Sequence, residues 1–536
     1  MTSEFNGDIT ARPATLPALL GAAATDTAPF LLCADRDWTY ADFSRAVDGF
    51  ATGLLGAGIA KGDRIAIAAP NSAQWLITWF AATKIGAILV TLNVAYRERE
   101  FEYMLNQSGA IMLVCTVRDS EFDFVEFLGA LKPRIPLVRT FVFLEHVGFD
   151  GSTSWDELFE SEPSEKTLAD AQAAVHPDDP AVILYTSGTT GSPKGATLTH
   201  ASILASAAAQ ASHLGQTRDD VSIGHMPLNH VGGMTCTVAA TMVSHGSVAL
   251  LTRYSPKLAA ETIDKRGVTI FIGVPTMYSI MMDTEEFKAA TISSVKTCII
   301  GGSNVEPAMG HRILNTFLGA RLANLYGSSE TSGGCIVSAA DDDLQTLVDT
   351  LGVAIGNFEV RITDDQNNAV PETDEGELQI RGGCVAGGYW EDPAESARAF
   401  RPDGWLATGD MARLRADGRI ELCGRKKEMY VRSGYNVYPV EVENVLAADD
   451  SVAMSAVIGV PDAMYGEVGH AYVVPAPGVS IDIEHLIERC KNQLARYKVP
   501  AQIHVIDSLP LTPSGKIKKI ALRRPPASSL QVGETA

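Results

Sequence analysis

Seven short apolar runs constrain this chain more than any other feature: residues 64–69, 87–92, 111–115, 182–185, 248–251, 269–274 and 297–300. Several are apolar at successive positions, as strands covered by helices on both faces must be. Helix-patterned stretches such as 40–58 and 202–211 lie between most of them. Strands alternating with helices predict an α/β fold built on mainly parallel sheets. A length of 536 residues exceeds one core and implies two or more domains.

The pattern changes near residue 375. Segments 377–381, 411–415 and 419–423 read as short strands between Gly- and Asp-rich turns, and Asp417-Gly418 is a hairpin signal. This predicts a β-rich subdomain. The charged join Gly424-Arg425-Lys426-Lys427-Glu428 follows, then a small α+β pattern to residue 524 and a Pro/Ser-rich, frayed tail. The expected organisation is a large N-terminal domain over 1–424, a hinge at 425–427 and a small mobile α+β domain over 428–536.

Charge narrows the function. The formal net charge is −21, yet residues 425–536 alone sum to +1. So acidic a chain is a poor general nucleic-acid binder, because phosphate backbones need clustered Lys and Arg. The less acidic C-terminal part suits anionic ligands. The eight cysteines form no CxxC pair, so buried free thiols in a reducing, cytoplasmic setting are expected, not a zinc site or disulfides. The N-terminus lacks a signal-peptide pattern, and the C-terminal Gly-Glu-Thr-Ala is no targeting signal. The most membrane-like stretch, 75–96, is broken by Lys84 and Gly86 and reads as a buried helix and strand, not a membrane span.

Chemistry concentrates in Tyr185-Thr186-Ser187-Gly188-Thr189-Thr190-Gly191-Ser192-Pro193-Lys194-Gly195, directly after the apolar strand. Its glycines permit tight turns, its hydroxyls and backbone N–H groups can wrap an anion, and Lys194 adds positive charge. A triphosphate fits this chemistry, although the order is not the Walker one. The segment resembles the phosphate loop of the adenylate-forming superfamily, which spans acyl-CoA synthetases, aryl-CoA ligases, firefly luciferase and peptide-synthetase adenylation domains. The resemblance extends from residue 40 to residue 519, with later motifs in order, and looks closest to fatty and medium-chain acyl-CoA synthetases.

That resemblance implies ATP, Mg²⁺ and coenzyme A as the small-molecule requirements, and a two-step reaction through acyl-AMP. It implies that Thr186, Ser187, Gly188, Thr189, Thr190, Gly191 and Lys194 hold the phosphates. The 301–303 backbone (Gly301, Gly302, Ser303) and Tyr326 would sandwich adenine, Gly327 would belong to the same nucleotide site, Ser329 would touch phosphate, and Glu330 would hold Mg²⁺. Asp410, in Trp405-Leu406-Ala407-Thr408-Gly409-Asp410, and Arg425 would meet the ribose. His230, in Pro227-Leu228-Asn229-His230, would gate the thiol tunnel beside an acid pocket of Val231, Gly232, Gly233, Met234, Thr276 and Tyr278. Ser433, Gly434 and Tyr435 would line the tunnel, Lys427 would be the hinge, and Lys516 would serve adenylation as a catalytic residue with His230 and Glu330. Asn229 departs from the usual aromatic or His. Ala354 and Gly356 replace two usual prolines.

The candidate pocket segments 231–235 and 274–278 are mostly apolar and contain no Arg or Lys, so a hydrophobic monocarboxylic acid is expected. Loading of a carrier-protein pantetheine, luciferase-type oxidation, a catalytically silent nucleotide binder, and assembly as a homodimer stay open at this point.

Overall fold

The computed structural model describes residues 13–159, 165–186, 193–302, 305–511 and 517–523. A seven-stranded sheet runs in the order Lys194–Thr199, Pro180–Thr186, Ile88–Thr91, Arg64–Ala68, Met112–Cys115, Thr140–Phe143, Thr153–Ser154. Only its first pair is antiparallel. A nine-stranded sheet has a parallel centre from Arg321–Ser328 through Thr297–Gly301, Ile270–Gly273, Val221–Gly224 and Ser247–Leu250 to Pro29–Leu32. Antiparallel strands finish both edges. All seven expected strands are present, each within two residues of its expected ends.

The covering helices form where the sequence caps them. Tyr40–Gly56 begins at a capping box of Thr39 and Asp42, and buries Phe43, Val47, Phe50 and Leu54 at helical spacing. It packs on Ala73–Lys84, where Trp75, Leu76, Trp79 and Phe80 are all buried. Each such side chain contributes roughly 2 kcal/mol of burial. The stretch that looked membrane-like is therefore a core helix plus the strand Ile88–Thr91. No helix among the described residues is long and apolar enough to cross a membrane. All eight cysteines are buried free thiols, and burial pushes Cys236 and Cys298 up to about 12.

The β-rich region is a four-stranded antiparallel sheet: Glu359–Thr363, Gly376–Arg381, Trp405–Leu414, Ile420–Arg425. Its third strand starts six residues before the expected 411, so the Trp405-to-Asp410 motif is strand and not a loop before one. A further five-stranded sheet begins at Tyr430–Arg432, carries the helices Pro439–Ala447 and Ile483–Gln493, and has its own core of Tyr430, Val442, Leu446, Val457 and Leu486. A large α/β domain is thus followed by a smaller α+β domain.

Candidate active site

Parallel strands of open sheets deliver ligand-binding loops at their C-terminal ends. Here Pro180–Thr186 and Lys194–Thr199 form an antiparallel pair, with Thr186 opposite Lys194. The two described ends of the phosphate-type segment, Thr186 and Lys194, thus lie side by side. Ser187, Gly188, Thr189, Thr190 and Gly191 lie outside the described residues, as do Ser303 and Lys516. The Lys194 ammonium pairs with Glu395 and lies 5.2 Å from the centre of the Tyr389 ring. Glu395 also pairs with Arg398. Lys194 holds to Glu395 although both side chains are largely shielded from water.

The segment 326–333 ends one strand and starts the next. A Cβ at Gly327 would sit 2.0 Å from the Gly333 carbonyl oxygen, so only glycine fits there. Ser329 is buried, and Thr331 accepts from Ser328 N–H while donating to Gly333 O. Glu330 is half-buried, and Tyr389 Oη–H donates to its Oε1 at 2.9 Å. Burial and the Glu330 charge push the Tyr389 phenol up, so it stays a donor. A lone carboxylate suits Mg²⁺, which is typically held by one or two carboxylates plus nucleotide phosphates. No cluster of three or more acidic, His or Cys side chains that could cage a metal exists among the described residues. The half-buried Glu330 carboxylate, with one oxygen held by Tyr389, fits a metal whose other ligands are nucleotide phosphates.

Asp410 is positioned by a bulge. Glu377 pairs with Met411 but Gln379 with Ala407, so Thr408, Gly409 and Asp410 face one residue of the neighbouring strand. Thr408 donates to Leu378 O, Asp410 N–H donates to Thr408 Oγ1, and Gly409 takes φ +74°. Bulges re-aim side chains beside functional sites. Asp410 is 7% exposed. Its Oδ2 accepts from Tyr326 Oη–H at 2.5 Å, and its Oδ1 lies 3.2 Å from Arg425 Nε. Burial and then Asp410 push the Tyr326 phenol far up, and Asp410 raises the Arg425 guanidinium.

His230 caps the turn Val231–Gly233, and its Nδ1 accepts from Gly232 N–H at 3.1 Å. While neutral it must then carry its proton on Nε2. Gly233 is obligatory, since a Cβ there would lie 2.3 Å from Pro227 O. Met234–Ala239 continues as a π-helical turn, a form enriched at functional sites that no sequence pattern announced. Val231 and Met234 are buried and Thr276 is half-buried. Tyr278 departs from the expected pocket wall. It is wholly buried, its hydroxyl meets Phe271 O and Ile299 O, and its ring packs on Phe271. It belongs to the core beneath the nine-stranded sheet.

Gly301 ends a strand and Gly302 takes φ +82°. Ser433 and Gly434 form the two-residue turn between Tyr430–Arg432 and Tyr435–Val437, both at positive φ, as a type I′ hairpin requires. Tyr435 is exposed and stacks on Tyr497 at 4.7 Å. Lys427 is exposed between Arg425 and Glu428. One cleft is lined by Arg99, Tyr103, Gln107, Pro193 and Lys518, so the C-terminal segment reaches the base of the phosphate-type loop. Tyr389 and Glu395 were not singled out from the sequence. Tyr389 lies in the stretch 381–390, which resembles fatty and medium-chain acyl-CoA synthetases, whereas Glu395 lies beyond it.

The AMP-binding enzyme family matches residues 21–390, and the AMP-binding enzyme C-terminal domain matches residues 441–516. The chain is 34% identical over 505 residues to a putative acyl-CoA synthetase, YngI, of Bacillus subtilis, covering 91% of each. It is 33% identical over 523 residues to the 3-[(3aS,4S,7aS)-7a-methyl-1,5-dioxo-octahydro-1H-inden-4-yl]propanoyl:CoA ligase of Mycobacterium tuberculosis, covering 96% of this chain and 99% of that one. ATP-bound MatB from Rhodopseudomonas palustris superposes with a TM-score of 0.82 at 28% identity, over 96% of this chain and 98% of that one. With its fold, its strand-end loops and its two matching domains, the chain belongs to the AMP-binding enzyme family, among the adenylate-forming acyl-CoA ligases.

Proposed function

We propose that this ligase joins a hydrophobic monocarboxylic acid to coenzyme A through acyl-AMP, using Mg²⁺ and two placements of its small domain. The observation that carries the reading is the buried Asp410 carboxylate bracketed by Tyr326 and Arg425. A carboxylate held this way is a bidentate acceptor for two ribose hydroxyls, and the Tyr326 ring offers adenine a flat face.

In the first half, an oxygen of the acid attacks the α-phosphorus of ATP. The bond to the bridging oxygen breaks, and pyrophosphate leaves with the electron pair. Lys194 turns from Glu395 to the phosphates. Glu330 would hold Mg²⁺, which when bound neutralises phosphate charge during displacement. Lys516, outside the described residues, would offset charge on the bridging oxygen. The cleft between Pro193 and Lys518 supports this, because Lys518 is only two residues from Lys516 in sequence.

In the second half, the coenzyme A thiolate attacks the acyl carbon and AMP leaves. His230 would stand between acid and thiol. The hairpin tip Ser433-Gly434 would line the thiol route after rotation at Lys427. The segment 231–234 carries no charged side chain and its Val231 and Met234 pack into the main apolar core, so the surroundings of His230 are apolar, which supports an aliphatic, aryl or polycyclic acid body.

A panel of straight-chain, branched, aryl, polycyclic and dicarboxylic acids, assayed for pyrophosphate release and then for AMP release on adding coenzyme A, tests the proposal. Turnover of apolar monocarboxylates with thiol-dependent AMP release is expected. Preference for dicarboxylates, or an acyl-AMP that coenzyme A does not discharge, would contradict it.

A further inference from the structure

Tyr389 has no role in the reading above, yet two edges of the site meet on it. It lies in the strip 386–390, which backbone bonds stitch to both edges. Ala386 N–H donates to Glu330 O at 2.9 Å. Gly387 N–H donates to Thr197 O at 2.8 Å, Thr197 N–H to Gly388 O at 2.9 Å, and Trp390 N–H to Gly195 O at 2.7 Å. The strip thus ties the strand leaving the phosphate-type loop to the loop that carries Glu330.

The Tyr389 side chain repeats that connection. Its hydroxyl donates to Glu330 Oε1 at 2.9 Å, and its ring lies under the Lys194 ammonium at 5.2 Å. The ring is itself fixed. Tyr389 N–H donates to Ser396 Oγ at 2.8 Å, and Phe400 packs edge-on at 5.4 Å. Among the described residues, Tyr389 is the one donor to the Glu330 carboxylate. A carboxylate held by one oxygen has its second oxygen pointed in a set direction, and it loses less rotamer freedom when that oxygen binds something.

We propose that Tyr389 is a positioning residue, fixing the orientation in which Glu330 offers its second oxygen to nucleotide-borne Mg²⁺ while its ring keeps Lys194 on the same face. This rests on the proposed metal role of Glu330. Phenylalanine at 389 keeps the ring under Lys194 and removes only the donor. Leucine removes both.

The test is Mn²⁺ binding to enzyme saturated with α,β-methylene-ATP, read as bound against free Mn²⁺ by electron paramagnetic resonance. The Mg²⁺ half-saturation of pyrophosphate release is measured alongside. Tyr389→Phe is expected to weaken Mn²⁺ binding about three- to tenfold, the size of one lost hydrogen bond, and to raise the Mg²⁺ midpoint by a similar factor. Tyr389→Leu should add a rise in KM for ATP. Glu330→Gln in the same titration reports on the underlying reading: wild-type metal affinity there removes the metal role itself. Weakened binding in Glu330→Gln with unchanged or tighter binding in Tyr389→Phe overturns the positioning role alone. So does a Tyr389→Phe variant whose melting point and kcat fall while its metal midpoint stays. The double variant should bind Mn²⁺ no more weakly than Glu330→Gln alone, because Tyr389 acts through Glu330. Additive losses overturn the proposal even if one single variant folds poorly.

Discussion

The two sides of Lys427 are tied to different bodies. On the N-terminal side, Arg425 reaches back to Asp410, and Lys426 to Asp365 and Glu377, all in or beside the four-stranded sheet. On the C-terminal side, Glu428 turns to Lys519, which also pairs with Glu443 on the helix Pro439–Ala447, each at 2.8 Å. Lys427, between them, is in no ion pair among the described residues. Four consecutive residues thus divide their loyalties, and the peptide units at 427 are where backbone angles can change at least cost to either network. The networks differ in kind as well. The Lys426–Asp365 pair is at the surface and contributes little, whereas the Lys519 trio is largely shielded from water.

Breaking the first network at its centre should have the largest effect. Asp410→Ala removes the proposed ribose acceptor and strands Arg425. Its KM for ATP should rise at least about 100-fold, roughly 2.7 kcal/mol, with the small domain's unfolding unchanged. Steady-state kinetics over ATP decide this, and a KM within threefold of wild type would remove Asp410 from the site.

Breaking the second network should act on stability instead. Lys519→Met leaves Glu428 and Glu443 facing each other and should cost the small domain about 2 kcal/mol, read by denaturant unfolding. Lys426→Ala, its surface counterpart, should stay within about 0.5 kcal/mol. Equal losses in the two variants would erase the distinction drawn between the networks.

The smallest effect expected concerns pH. Burial raises the Glu428 carboxyl, but attraction to Lys519 outweighs it and holds the group below its ordinary range. A depressed folded value contributes stability above the ordinary glutamate pKa, and that contribution is lost as pH falls through the folded value. Acidification should therefore weaken the wild type more steeply than Glu428→Gln. Parallel stability–pH curves would show that Lys519 does not favour the ionised form.

The fold was legible where the sequence was locally repetitive. Runs such as 111–115 and 297–300 are apolar on both faces because helices cover both faces, and the strands Met112–Cys115 and Thr297–Gly301 match them to within one residue at each end. What escaped was non-local. Tyr278 reads like a pocket residue in an apolar stretch, but its hydroxyl partners are carbonyls on two neighbouring strands, which nothing near it in sequence specifies. The bulge that aims Asp410 depends on a register mismatch with Gln379, so the motif was visible while its place in a strand was not. Tyr389 escaped for the same reason: its partners Glu330 and Lys194 are 59 and 195 residues away.

The central claim is that one site serves two half-reactions by rotating the small domain at Lys427, and two single-step assays test it most directly. Proline at 427 fixes φ near −65° and should trap the adenylating placement. Lys427→Pro should release pyrophosphate at near wild-type rate but transfer the acyl group from supplied acyl-AMP to coenzyme A at least about tenfold more slowly, some 1.4 kcal/mol. Lys516→Ala should show the reverse, with poor acyl-AMP synthesis and near-normal transfer. If each variant slows both halves alike, or neither, the alternation account is wrong for this protein.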